Sequence, residues 1–168
     1  MSASLMTSPF TILTGASRGM GLGIARGLID AGHTLLTLQR SPNPELDARA
    51  AEQGLPIEQW AVDLTEPLAV AERLRSHLTQ QREALGARPL NLINNAALLA
   101  APGALRDADL ADLSRATRAS LEAPLLLTAA FLAATTGAKG VRRVLNISSG
   151  LGRFAMAGAA SYCAAKSG

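Results

Sequence analysis

Tyr162 and Lys166 stand one helical turn apart in the Ala-rich run SYCAAKSG (161–168), so a helix there presents a phenol beside an ammonium. A free phenol titrates near ~10 and moves protons poorly at neutral pH. A cation beside it favours the phenolate and lowers that value, which would make Tyr162 an acid–base group and Lys166 its activator. Ser149, which closes the run NISS (146–149), offers a hydroxyl able to hold a reacting oxygen near the phenol. Taken alone, Tyr-x-x-x-Lys is a short pattern, and a buried tyrosine beside a solvated lysine is its commoner source. The chain uses fourteen arginines and only two lysines, Lys139 and Lys166. An ammonium kept at Lys166 therefore fits chemical choice, with chance as the rival explanation.

The rest of the chain reads as the scaffold that must bring such residues to one edge. FTILTG (10–15), HTLLTLQR (33–40), PIEQWAVDL (56–64), PLNLINNAA (89–97) and VRRVLNISS (141–149) have the composition of strands. Between them, Met20, Ile24 and Leu28 keep helical spacing over 19–31, and turn formers open a short helix closed by Gly54. Thr65-Glu66-Pro67 opens a longer helix to about Leu85, Asp109 to Thr136 holds one or two more, and Ala159 begins the last. This alternation predicts an α/β fold: a Rossmann-type, doubly wound parallel sheet with helices on both faces. Ligands of such sheets sit at the carboxyl ends of the strands.

The first strand end is TGASRGMG (14–21), where Gly15, Gly19 and Gly21 permit a tight turn, close backbone approach and close helix packing. The helix behind it offers free N–H groups to a pyrophosphate. No Gly-Lys-Ser/Thr ending follows, which argues against a nucleoside-triphosphate loop and leaves a dinucleotide as the expected ligand. The second strand ends Leu38-Gln39-Arg40, without the carboxylate that binds a ribose 2′-OH in NAD sites, and Arg18 lies in the glycine turn. Two guanidinium groups there suit a 2′-phosphate, so NADP(H) is expected over NAD(H); two ordinary surface arginines are the plainer alternative. Asp63-Leu64 ends the third strand and Asn94-Asn95-Ala96-Ala97 the fourth. Asp63 reads either as an acceptor for the adenine amino group or as a cap for the helix that follows.

In this order, Thr14-Gly15-x-x-x-Gly19-x-Gly21, Asn94-Asn95-Ala96, Ser149 and Tyr162-x-x-x-Lys166 resemble the successive motifs of the short-chain dehydrogenase/reductase family, from Phe10 onward. The resemblance implies hydride transfer between a nicotinamide cofactor and a carbonyl/alcohol pair. Tyr162 would be the general acid in reduction, Lys166 would bind the nicotinamide ribose and tune Tyr162, and Ser149 would position the carbonyl. The expected cofactor contacts are Gly15, Ser17, Arg18, Gly19, Met20, Gly21, Arg40, Asp63, Leu64, Asn95, Ala96, Ala97, Tyr162 and Lys166. Two departures stand out. Where the family commonly carries Asn in the helix after the fourth strand, this chain has Ser120, which leaves a water-linked proton relay open; and NNAA replaces NNAG, placing a methyl at Ala97. The run 146–168 looks like the sepiapterin or benzil reductase branch. The family fold continues with further strands after the Tyr-Lys helix. The chain is therefore expected to be one dinucleotide-binding domain over 1–168, incomplete at its C-terminus, flexible over 1–8 and exposing an apolar patch.

Composition removes other classes. Apolar residues make up 48% and charged residues 17% of the 168, which suits a packed globular core. No apolar run approaches the ~20 residues of a membrane span, and MSASLMTSPF has no basic region of a secretory signal. Cys163 is the lone cysteine, and His33 and His77 are far apart, so neither a disulfide framework nor a metal site is expected. The net charge of +3 is spread along the chain, without a nucleic-acid footprint. A cytoplasmic NADPH-dependent carbonyl reductase acting on a ketone or diketone, as a homodimer or homotetramer, is the leading expectation. The alternative is a noncatalytic dinucleotide-binding or interaction module lacking a substrate half.

Overall fold

The computed structural model describes residues 7–168, so the flexibility expected for 1–8 lies, for residues 1–6, outside the described residues. Ser8 is held, its carbonyl accepting from Arg88 Nε at 2.7 Å. Five strands, β1 (Phe10–Thr14), β2 (Thr34–Gln39), β3 (Ile57–Ala61), β4 (Leu90–Asn94) and β5 (Arg142–Asn146), form one parallel sheet in the order β3-β2-β1-β4-β5. The helices are α1 (Gly19–Asp30), α2 (Pro44–Glu52), α3 (Pro67–Gln80), α4 (Arg82–Leu85), α5 (Leu110–Thr117), α6 (Ala123–Ala134) and α7 (Ala160–Ser167). This is the doubly wound α/β fold that the alternation predicts. The strand order reverses between β1 and β4, and that is where a crevice opens.

Every residue of the central strands β1 and β2 is buried, as expected for strands covered on both faces. Alternating side chains divide between two cores. Ile12, Leu36 and Leu92 pack with Leu74, Leu127 and Phe131 on the side of α3 and α6. Leu13, Leu35 and Ile93 pack with Ile29 and Leu46 on the side of α1 and α2. Phe131 is wholly buried, and truncating such a ring costs about 3–5 kcal/mol.

The helix starts are written locally. Asn43 caps α2 by accepting from Glu45 N at 3.0 Å, with Pro44 in the first turn. Asp109 caps α5 by accepting from Ala111 N and Asp112 N at 2.7 and 3.2 Å. The single helix expected through Leu85 instead breaks at Gln81, and Arg82 in α4 donates to the carbonyls of Ala134 and Thr136 at the end of α6. Between α5 and α6, Arg118–Glu122 form a π turn. Pro124 explains the break in register, since it has no N–H for the carbonyl of Ser120, four residues earlier.

β5 differs from its neighbours. It pairs with β4 along one edge, and all five of its residues are exposed. Val144 and Leu145 in the strand, and Val141 just before it, are 36%, 52% and 56% exposed.

Candidate functional site

Two strand ends build the cradle. Thr14, the last residue of β1, accepts through its hydroxyl from Asn95 N at 3.0 Å and Ala96 N at 2.9 Å. Asn95 Nδ2 donates back to the carbonyls of Thr14 and Gly15, at 3.0 and 3.3 Å. The glycine turn is thereby fastened to the end of β4. Gly15 has φ +73° and Gly19 φ +56°, a region that favours glycine. Gly21 is needed for space: a Cβ there would overlap the Gly15 carbonyl oxygen and stand 2.5 Å from Asn95 Nδ2. Such a turn, opening into the N-terminus of a twelve-residue helix, fits a pyrophosphate laid against backbone N–H groups.

Around this turn lies a cleft of about 600 Å³. Gly15, Ser17, Arg18, Gly19, Met20, Gly21, Arg40, Asp63, Leu64, Asn95, Ala96 and Ala97 all line it. Arg18 and Arg40 are exposed on its walls. Ala97 keeps a negative φ, because positive φ occurs only at glycines among the described residues. Asp63 does not cap the helix that follows, since the N-cap of α3 is Glu66 and no side chain caps it. It lines the cleft, and its Oδ1 accepts from Thr65 N at 2.9 Å in a local turn. That backbone bond, helped by the Arg40 and Arg115 charges, holds its carboxyl below the usual carboxylate range.

Ser149, Tyr162 and Lys166 are not among the residues that line this cleft. Ser149 follows β5 in the chain, and Tyr162 and Lys166 lie on α7, which docks at the carboxyl end of that strand. Lys166 Nζ donates to the Ile147 carbonyl at 2.7 Å and stands 5.7 Å from the centroid of the Tyr162 ring. Burial lowers the Lys166 ammonium below the usual lysine range. Ser148 Oγ donates to the Lys166 carbonyl at 3.2 Å, while Ser149 Oγ accepts from Leu151 N at 3.3 Å. Gly152 permits the close approach, since a Cβ there would overlap the Lys166 carbonyl oxygen. The β5 end is joined to the cradle strand: Ile147 N donates to Asn94 O at 2.9 Å, and Asn94 Nδ2 to Asn146 Oδ1 at 2.8 Å.

Ser120 sits in the π turn, 5% exposed, with its hydroxyl doubly engaged. It accepts from Leu98 N at 2.9 Å and donates to Leu98 O at 3.0 Å. Its single hydroxyl proton is thus spent on backbone, and the residue anchors the loop that follows β4.

Sequence reasoning missed part of the cleft. Gln39, Asp112, Arg115 and Ala119 also line it. Asp112 Oδ2 accepts from Ala101 N at 2.7 Å and its Oδ1 from Arg115 at 3.0 Å. On the sequence this pair reads only as a helix surface pair at i, i+3, and no motif marks it.

The family model described as short chain dehydrogenase matches residues 10–168. The chain belongs to the short-chain dehydrogenase family. The chain is 29% identical over 159 residues to a benzil reductase ((S)-benzoin forming) of Bacillus cereus, covering 95% of this chain and 64% of that protein. It is 29% identical over 157 residues to the Bacillus subtilis benzil reductase, with 94% and 61% covered. The chain thus spans less than two thirds of the length of these two relatives. Among solved structures, a short-chain dehydrogenase/reductase from Burkholderia vietnamiensis is similar with a TM-score of 0.85 and 33% identity, over 96% of this chain and 73% of that one. A metagenomic short-chain oxidoreductase in complex with NADP is similar with a TM-score of 0.77 and 31% identity, over 96% and 70%. Among the described residues, no helix is long and apolar enough to cross a membrane.

Proposed function

We propose that the chain works as an NADPH-dependent oxidoreductase that reduces a ketone or diketone carbonyl to an alcohol. The observation that carries this reading is the docking of α7 on the end of β5, which sets the Lys166 ammonium on the Ile147 carbonyl and beside the Tyr162 ring. That pair stands at the same sheet edge as the glycine cradle.

A bound nicotinamide cofactor supplies the hydride. The chain's own groups do the rest. The Tyr162 hydroxyl gives its proton to the substrate oxygen as negative charge develops there. Ser149 donates a hydrogen bond to that oxygen and holds it in reach. Lys166, whose Nζ stands 5.7 Å from the centroid of the Tyr162 ring, would hold the cofactor ribose. Arg18 and Arg40 favour a 2′-phosphate over a bare ribose. Ser120 supports the loop after β4, where its hydroxyl is committed to Leu98. The similarity to two benzil reductases supports a diketone as substrate. Leu110, Leu125 and Leu132, exposed on α5 and α6, support assembly as a homodimer or homotetramer. The free thiol of Cys163 suits a reducing, cytoplasmic setting.

One observation favours a second reading, a dinucleotide-binding module without turnover: Ser149, Tyr162 and Lys166 stand outside the walls of the cleft. The test is to titrate the chain with NADPH and NADH, then follow NADPH oxidation with a panel of ketones and diketones. Binding with turnover supports the reductase, binding without turnover supports the module, and binding of neither dinucleotide contradicts both.

A further inference from the structure

Tyr162 lies in the first turn of α7, and that helix start has no side-chain cap, its N-cap being Ala159. The other end of α7 is held by side chains: Lys166 Nζ donates to the Ile147 carbonyl at 2.7 Å and Ser148 Oγ to the Lys166 carbonyl at 3.2 Å. At the start, a neighbouring loop takes over. Gly103 N donates to Gly158 O at 3.0 Å, two residues before α7 begins. Gly158 has φ +80°, and a Cβ there would stand 3.3 Å from Gly103 N, so this close meeting of backbones needs a glycine.

Residues 98–103 belong to no helix or strand, and two side chains from outside pin them. Ser120 engages both backbone groups of Leu98. Asp112 Oδ2 accepts from Ala101 N at 2.7 Å, and its Oδ1 from Arg115 at 3.0 Å. The Ala101 bond first, and the Arg115 bond second, hold the Asp112 carboxyl below the usual carboxylate range, so this anchor is ionised at neutral pH. Ala101 and Gly103 are joined through Pro102, whose ring fixes φ, and two residues span at most ~7 Å. Asp112 is therefore the anchor next to the Gly103–Gly158 bond.

Resting on the reductase reading above, we infer that Asp112 is a positioning residue for Tyr162: through Ala101 and the Gly103–Gly158 bond it fixes where α7 begins, and with it where the phenol stands. Proton transfer requires the phenol within hydrogen-bond reach of the substrate oxygen, so a small displacement of the helix start is felt in the rate.

Three measurements on the full chain test this: single-turnover oxidation of bound NADPH by a diketone, NADPH titration, and amide hydrogen exchange. The proteins compared are the unsubstituted chain, Asp112→Ala, Asp112→Asn, Gly158→Ala, and Asp112→Ala combined with Gly158→Ala. Asp112→Ala should slow the single turnover by roughly 10–100-fold. NADPH affinity should not fall, because Asp112 lines the cleft and its loss removes negative charge from a wall facing phosphate. Asp112→Asn keeps an acceptor for Ala101 N and should recover most of the rate. The combined variant should be no slower than the slower single one, since both substitutions break one tether. In Asp112→Ala, the amides of Gly103 and of Cys163, which donates to Ala159 O at the start of α7, should exchange about tenfold faster, with β1 unchanged.

An unchanged rate or unchanged exchange in Asp112→Ala overturns the inference, as do losses that multiply in the combined variant. Parallel loss of rate and NADPH affinity marks a merely structural role and overturns it as well. No turnover by the unsubstituted chain overturns the reductase reading instead, and hydrogen exchange then decides the tether.

Discussion

The carbonyl oxygen of Gly15 occupies the space that a Cβ on Gly21 would need. Two glycines six positions apart are thus one device, in which the first turn of α1 closes against the turn that precedes it. Gly21→Ala should therefore destabilise the fold by about 1–3 kcal/mol and weaken dinucleotide binding. Gly23 is the control: it lies in the same helix with open space around its missing Cβ. Gly23→Ala should stabilise by about 0.5–1 kcal/mol. Thermal melts of the two variants, run with and without NADPH, check both signs.

Ser120→Ala removes the hydroxyl that serves both backbone groups of Leu98. The loop after β4 loses its anchor at a buried position, and a stability loss of about 1–3 kcal/mol is expected. Urea unfolding measures it, and an unchanged midpoint would show that the loop stands without Ser120.

Arg40 lines the cleft within electrostatic reach of Asp63. Replacing it by Asp removes a charge-assisted donor and adds a carboxylate beside the ribose. NADPH affinity relative to NADH should fall by roughly 10–100-fold. No change in that ratio rejects the role given to the second strand end.

His33 supplies a pH dependence. Its ring Nδ1 lies 2.8 Å from the Thr11 hydroxyl, which itself accepts from Asn91 Nδ2 at 3.0 Å. Burial holds the imidazole below the ordinary histidine value of about 6.5. As pH falls, the unfolded chain therefore takes up this proton before the folded one, and stability declines below about pH 6.5. His33→Gln should flatten that decline in melts between about pH 7 and 5. An identical pH profile in the variant would place the cause elsewhere.

The fold was legible because its determinants are local. Thr65-Glu66-Pro67, Asn43-Pro44 and Asp109 announce helix starts, and the continuous apolar runs of β1 and β2 announce buried strands. The π turn at Arg118–Glu122 was not, although Pro124 was in plain view, because the choice between a kink and a fresh helix is made by packing. At the site, glycines and strand-end residues reach the cleft because backbone geometry takes them there. Arg115 and Asp112 escaped notice because their place in the cleft depends on how α5 packs over the strand ends. Neither leaves a periodic mark on the sequence.

The central claim is that the phenol of Tyr162 passes a proton to a carbonyl whose carbon receives a hydride. Comparing the chain with its Tyr162→Phe variant, by single-turnover oxidation of bound NADPH on mixing with a diketone, addresses it most directly. The account predicts a rate lower by roughly 10²–10⁴ in the variant with NADPH still bound. An equal rate in the two proteins would contradict it.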